Sequence, residues 1–373
     1  MLRPAGGGIH MVSTGRDQQG DLQRTLYGGG NAAEIDARWR GELDRLVSAR
    51  IVILAIPSDT GAGLVRGAAF GPGALRSEIL RRLPDFRRRA HGSGVVDVGD
   101  VVVIPQLLHD DMVSDAQRAT ARAALYASTP DLRARARPEL VARLPVSPLS
   151  IAAEVVTRLL DINQSLKIVT LGGDHSVTWP VVSSLVAHRK RPFAIVHVDA
   201  HTDLMSERLG VKYCFSTWAY HANELIGRSG RLVQVGVRAS RHARAHWEST
   251  LGVRQFWADE VRARGDAAVI DEIVRHLREI GAAHAYLTND IDGTDAAAAP
   301  ATGAPESDGL SVGFVRALTA RLGAEVHLVG ADLVEVAPPI GAPADAQRTI
   351  EVGARYVLDA LTALSGSRDF VIS

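Results

Sequence analysis

The chain has 373 residues, of which 46% are hydrophobic, enough for a large core and too many for a disordered segment. Lysine plus arginine total 42 and so do aspartate plus glutamate, so charge gives no reason to expect nucleic acid or a membrane as a partner. The one cysteine, Cys214, excludes an internal disulfide and any multi-thiolate metal site.

Residues 1–48 are rich in glycine and polar groups and read as a mostly irregular N-terminal extension. Their opening stretch, "MLRPAGGGIHMVSTGRDQQG", has no apolar core of the signal-peptide kind. No apolar run approaches the roughly 20 residues needed to span a bilayer. A cytoplasmic protein is expected. A single domain over residues 49–373 begins at "ARIVILAIPSDTGAG", a strand running into a glycine-containing loop. Strand-length apolar runs follow: "GVVDVGDVVVI", "LKIVTL", "FAIVHV", "RLVQVGV", "AHAYLTN" and "EVHLVGADL". Helix-like segments alternate with them, among them "SIAAEVVTRLLDIN", "AAVIDEIVRHLREI" and "AQRTIEVGARYVLDALTAL". That alternation predicts an α/β fold of three layers, a mostly parallel sheet covered by helices on both faces. An insertion near 105–149 interrupts it, with a helix around "SDAQRATARAALYA" and then a loop, "RARARPELVARLPVSPLS".

In parallel sheets, ligands bind beyond the carboxyl ends of the strands. After "LKIVTL" comes "GGDHS" with His175, and after "FAIVHV" come Asp199, His201 and Asp203 at every-other spacing. After "AHAYLTN" come Asp290 and Asp292, and after "EVHLVG" come Asp332 and Glu335. Any one of these groups alone is weak evidence, since Asp174 or Ser176 can cap a helix and Asp-x-Asp can be a turn. Three groups at three strand ends are another matter. Six of these residues, His175, Asp199, His201, Asp203, Asp290 and Asp292, bring four carboxylates and two imidazoles to one place. Without cations those carboxylates would repel and take up protons. Two divalent ions would cancel their charge, and oxygen-rich ligation with imidazole and no sulfur suits manganese. His197 shares the ligands' parity but lies deeper in its strand and reads as a core histidine. His242, His246 and His284 read as surface or structural residues.

"LGGDHS", "DAHTD" and "DIDGTDAAAAPATGAPESDGL" resemble the three signature blocks of the ureohydrolases, the family of arginase, agmatinase, guanidino-acid hydrolases and formimidoylglutamase. The likeness covers most of residues 50 to 365, including "IPSDTGAGLVRGAAFGPGALR" and "DLVEVAPP". It implies an arginase-like α/β/α fold, two Mn2+ ions per subunit, and hydrolysis of a guanidino or formimino C–N bond in a small substrate. It also implies a homo-oligomer, trimer or hexamer. By the resemblance, His175, Asp199, His201, Asp203, Asp290 and Asp292 are the metal ligands, with Asp199 and Asp290 bridging. Glu335 matches the acid that holds the guanidinium, and Asp203 is placed to pass a proton to the leaving amine.

The sequence departs from the family pattern at two instructive places. Where many relatives carry a proton-relaying histidine, "KYCFSTWAYHANE" has Phe215, which leaves His221 as the candidate replacement. Where arginase reads the amino-acid end of its substrate with an asparagine, this chain has Met205. The turn "GVRASRHAR" supplies Arg241 or Arg244 as a candidate partner for a carboxylate on the substrate's far end. The expected activity is agmatinase or guanidino-acid hydrolysis with release of urea. The alternatives are a formimidoylglutamase-type hydrolase releasing formamide, or a metal-binding protein without turnover.

Overall fold

A computed structural model describes residues 1–10, 15–126, 138–189 and 192–372. Nine strands form one sheet: β1 (Leu2–Arg3), β2 (Ile51–Ile56), β3 (Val95–Val101), β4 (Lys167–Gly172), β5 (Ala194–Val198), β6 (Leu232–Val237), β7 (Arg254–Trp257), β8 (His284–Asp290) and β9 (His327–Val334). Their order is β1-β3-β2-β4-β9-β8-β5-β6-β7. Every pairing is parallel except that of β1 with β3.

The strands are apolar on both faces because both faces are covered. In β2 every residue is buried, and alternate residues serve different cores. Ile51, Ile53 and Ala55 pack with the helices Gly71–Arg82, Val312–Glu325 and Pro343–Ser365. Val52, Leu54 and Ile56 pack with Pro148–Ile162, Thr178–His188 and Trp218–Ile226. This is the three-layer arrangement read from the sequence. The reading missed β7, whose four residues are too few to show a pattern.

The extension at 1–48 is not irregular. It forms the helices Arg16–Tyr27 and Ala32–Leu43 and contributes β1 to the sheet edge. Leu22, Leu26 and Tyr27, and likewise Ile35 and Trp39, recur at helical spacing and are buried. Asn31 caps the second helix by accepting from the Glu34 N–H. Trp39 then donates to the Val98 carbonyl at 3.1 Å, fastening that helix to β3. Glycine and polar content hid this apolar spacing. In the 105–149 insertion the expected helix spans Asp115–Tyr126, and within the expected loop Pro138–Val141 is a short helix. The last three residues of that loop open the helix Pro148–Ile162, and its first five, 133–137, lie outside the described residues. Among the described residues, no helix is long and apolar enough to cross a membrane.

Candidate metal centre

The strands β4, β9, β8 and β5 are neighbours at the centre of the sheet, so the four motif-bearing loops leave it side by side. Val198 pairs with Asn289 and Asp290 with Val334, which brings Asp199, Asp290 and Glu335 off adjacent strands at nearly one level. The "GGDHS" turn is shaped by backbone contact. A Cβ on Gly173 would lie 1.8 Å from the Ser58 carbonyl oxygen, so only glycine fits there. Asp174 has the capping role allowed for it, accepting from the N–H groups of Ser176 at 2.8 Å and Gly61 at 2.9 Å. That leaves His175 as the residue aimed inward.

Around His175 the geometry is specific. Its Nε2 meets the Thr288 hydroxyl at 2.9 Å. Its buried Nδ1 has no hydrogen-bond partner, yet three carboxylate oxygens surround it: Asp290 Oδ2 at 3.1 Å, Asp199 Oδ2 at 3.2 Å and Asp203 Oδ2 at 3.3 Å. A second group forms around His201, whose Nδ1 lies 3.1 Å from Asp292 Oδ2 and 3.4 Å from Asp199 Oδ1. Asp199 belongs to both groups, one oxygen in each. Two cation positions sharing one carboxylate explain this arrangement, and an orphaned buried imidazole nitrogen is what a metal ligand looks like without its ion. The donor set of oxygens and imidazoles, with no thiolate, fits two hard or borderline divalent ions.

The electrostatics agree. Burial raises the Asp290 carboxyl well above its ordinary range, and the charges on Asp292 and Asp199 raise it further. Asp292 is raised by burial and by Asp199. Burial would lower the imidazole of His201, but Asp199 and Asp292 push it up to about 12. His175 is raised well above its usual value by Asp199, Asp203 and Asp290 against the same burial. Among protein groups alone, balancing these acids falls to two imidazoles, which is not enough.

A cavity of about 170 Å³ opens onto the cluster, lined by His201, Asp203, Asp290, Asp292, Glu335 and, nearer the mouth, Phe215 and Arg208. Glu335 accepts from the His175 backbone N–H at 3.0 Å. Burial, and then the charge of Asp174, raise its carboxyl well above the usual range. Glu335 and Asp203 both have positive φ, 60° and 52°, a strained conformation kept where it aims a functional side chain. Asp203 is further held by the Trp218 indole N–H at 2.9 Å, and that indole lies against the His175 ring with centroids 4.5 Å apart. Trp218 therefore braces Asp203 and His175 from behind.

Two expected residues are elsewhere. His221 Nε2 faces the carbonyls of Ser206 and Lys212, both at 3.0 Å, and the residue does not line the cavity. Its ring is taken up in packing against Tyr213 and Trp179. Arg241 is exposed in its turn and likewise lies off the cavity. Of its neighbours, Arg244 pairs with Glu260 at 2.6 Å, and Arg238 donates to backbone carbonyls including Asp292 and Glu306. Asp332 is bound by Tyr286 and Thr178 and takes no part in the cluster. The cation that does reach the cavity is Arg208, its guanidinium over the Phe215 ring at 5.1 Å from the centroid. A tight turn at Leu209 and Gly210, both left-handed, places it. No spacing pattern in the sequence marks Arg208.

A family model described as the Arginase family matches residues 49–363. The mitochondrial agmatinase of Gallus gallus is 32% identical over 323 residues, covering 84% of this chain and 80% of that protein. The guanidinobutyrase of Pseudomonas aeruginosa is 29% identical over 336 residues, covering 87% and 88%. The solved structure of proclavaminate amidino hydrolase from Streptomyces clavuligerus superposes with a TM-score of 0.61 at 25% identity, covering 85% of this chain and 92% of that one.

Proposed function

The chain belongs to the arginase family, and from that premise we propose that it hydrolyses a linear guanidino compound to urea and an amine at a pair of divalent ions. The observation that carries the reading is the unpartnered Nδ1 of His175 among three carboxylates, with Asp199 divided between two groups and Glu335 facing the same cavity. The proposed ligands are His175, Asp199, His201, Asp203, Asp290 and Asp292, with Asp290 as the second bridge. Manganese is favoured by the oxygen-rich donor set. When bound, such ions lower the pKa of a water and supply the nucleophile and much of the transition-state charge stabilisation.

The protein's own groups then do the positioning. Glu335 is committed through one oxygen to the His175 N–H. Its other oxygen, turned toward Gly303, is placed to accept from the planar guanidinium, whose N–H donors match a carboxylate. Binding the cation favours the ionised form of Glu335, offsetting what burial disfavours. Asp203 is placed to carry a proton toward the leaving amine. Phe215 cannot relay protons, and its ring narrows the mouth beside Arg208. Arg208 favours a substrate with a carboxylate at its far end, so a guanidino acid is preferred to agmatine. Phe215 is also the observation favouring a second reading, a formimino substrate and release of formamide. A metal-binding protein without turnover is disfavoured by Glu335, which such a site does not need. The family resemblance also supports a homo-oligomer, trimer or hexamer.

The deciding experiment measures metal content of the purified chain together with urea and formamide release from 4-guanidinobutyrate, agmatine and N-formimino-glutamate. Two divalent ions per chain and urea from the guanidino acid are expected. Formamide would move the assignment to the second reading. Absence of bound metal would overturn both.

A further inference from the structure

Four side chains on β5, β6 and β7 form one continuous hydrogen-bonded chain that ends on Asp199. The Trp257 indole, which can only donate, gives its N–H to Gln255 Oε1 at 2.9 Å. Gln255 must then turn its amide nitrogen the other way, and it donates to Gln234 Oε1 at 2.8 Å. Gln234 is left with two N–H groups. One goes to the Thr202 carbonyl at 2.6 Å, an oxygen that can only accept, and the other points at His197 Nδ1 at 3.0 Å. Nδ1 must therefore accept, so the ring proton sits on Nε2, 2.7 Å from Asp199 Oδ2. The direction of every bond is fixed from the indole inward, without appeal to any assumed tautomer.

This chain runs through apolar surroundings. His197, Gln234 and Gln255 are 0% exposed, and they sit directly opposite one another in the β5–β6 and β6–β7 registers. Each buried amide is costly unless fully partnered, and valines would pack the same layer at no such cost. Something beyond packing therefore favours these residues. On Asp199 the consequence is visible. Oδ2 receives the His197 N–H and Oδ1 the His201 backbone N–H at 2.6 Å, so the carboxylate plane is held at both ends. In that plane one oxygen faces His175 and the other His201.

We propose that His197 is a positioning residue whose Nε2–H is directed at Asp199 by the hydrogen bonds running through Trp257, Gln255 and Gln234, so that Asp199 presents one oxygen to each metal position. His197 is thus not itself a ligand, although it lies within the same cluster of donors. The assignment of metal positions rests on the reading of the previous subsection, whereas the tautomer rests on the hydrogen bonds alone.

Two measurements on the full-length protein separate these. The first is NMR of metal-free, 15N-histidine-labelled protein, with the His197 signal identified by its loss in His197→Gln. The Nε2–H tautomer is expected, and an Nδ1–H tautomer or a ring that exchanges between the two overturns the proposal. The second is equilibrium Mn2+ affinity by competition with a chelating dye. His197→Leu and Gln234→Leu should weaken binding by about 10- to 100-fold, the usual cost of losing an outer-shell partner. His197→Gln, whose amide N–H reaches where Nε2–H does, should stay within a few-fold of the parent, a rescue that a merely space-filling role would not show. Parental affinity in both leucine variants refutes the positioning role. Should His197→Leu not fold, Gln234→Leu and His197→Gln still carry the comparison. A parent that binds no Mn2+, Co2+ or Zn2+ would sink the metal centre itself, and the positioning role with it, while the tautomer would still be read by NMR.

Discussion

Two clusters of buried acids sit on the same sheet and are neutralised in opposite ways. At β3, Asp97 and Asp100 face the guanidinium of Arg76, which is 3% exposed and makes a two-pronged contact with Asp97 at 2.8 Å and a single one with Asp100 at 2.5 Å. Asp100 also accepts from the Gly8 N–H, so the pair anchors the N-terminal segment. At the ends of β5 and β8, four aspartates crowd together, and among the described residues no arginine or lysine side chain donates to their carboxylates. A guanidinium inside an acid cluster makes it a structural joint. An acid cluster without one calls for a cation from outside.

Substitution should break the comparison in opposite directions. Asp290→Asn should cost turnover on the order of 10³-fold or more, as for loss of a preorganised electrostatic group, and should lower the number of ions bound. In chelator-treated protein the same change replaces a carboxyl whose ionisation burial and the neighbouring aspartates oppose, so the melting temperature should stay level or rise. Asp97→Asn should lower it, because there the lost charge was paired. Equal destabilisation by both variants in the metal-free state would show that the two clusters are not different in kind.

Next in size is Arg76→Met. Two buried carboxylates lose their partner, which costs about 3–5 kcal/mol. Adding Asp97→Asn and Asp100→Asn should restore much of that, since the penalty lies in the uncompensated charges. Urea unfolding of the single and triple variants measures it. A single variant within about 1 kcal/mol of the parent would mean the cluster is wetter than its exposure implies.

At the cavity mouth the effect is smaller and shows only in selectivity. Arg208→Ala should raise KM for 4-guanidinobutyrate about tenfold, near 1.4 kcal/mol, and leave agmatine almost unchanged. Parallel KM and kcat determinations on both substrates test it, and an equal change for both would assign Arg208 to packing on Phe215.

The two clusters also differ in how far the sequence discloses them. Asp199, His201 and Asp203 fall within five consecutive residues, and Asp290 and Asp292 within three, so the chemistry of the site is written locally. The strand-end rule then brings the pieces together, because a parallel sheet leaves little freedom over where its loops emerge. Arg76 and its two acids are separated by 21 and 24 residues, at no spacing that a helix or strand period explains. The support behind Asp199 is equally scattered. Its trace was a glutamine inside an otherwise apolar run, Gln234 in "RLVQVGV" and Gln255 in "RQFW", and a buried amide in a central strand always needs a partner. His197 was read as a core residue for its depth, which is correct, but its depth is also what gives it access to Asp199 from behind.

The smallest expected effect concerns the joint between the N-terminal helices and the helix Phe86–Gly92, and it isolates the acid sensitivity of that joint. Glu42, on the helix Ala32–Leu43, receives Arg45, Arg87 and His91. Burial alone would raise its carboxyl, but the hydrogen bonds from Arg45 and Arg87 outweigh it and hold the group below the ordinary 4.5. The folded value is therefore the lower one, so the contribution is complete above about 4.5 and disappears as pH falls through the folded value. His91 acts earlier and in the same sense. Burial lowers it below 6.5 despite Glu42, so the unfolded chain takes up its proton first and stability begins to decline as pH drops past 6.5. Melting temperature against pH should thus fall in two steps in the parent, and Glu42→Gln should flatten the lower step while deepening the upper one, because His91 loses the charge that raises it. Hydrogen exchange should show the helices Arg16–Tyr27 and Ala32–Leu43 opening before the central strands. If Glu42→Gln leaves the lower step intact, acid sensitivity resides in other paired acids such as Glu78, which hydrogen bonds from Arg81 and Arg82 hold below its ordinary value against burial, and the N-terminal joint is held by its apolar contacts alone.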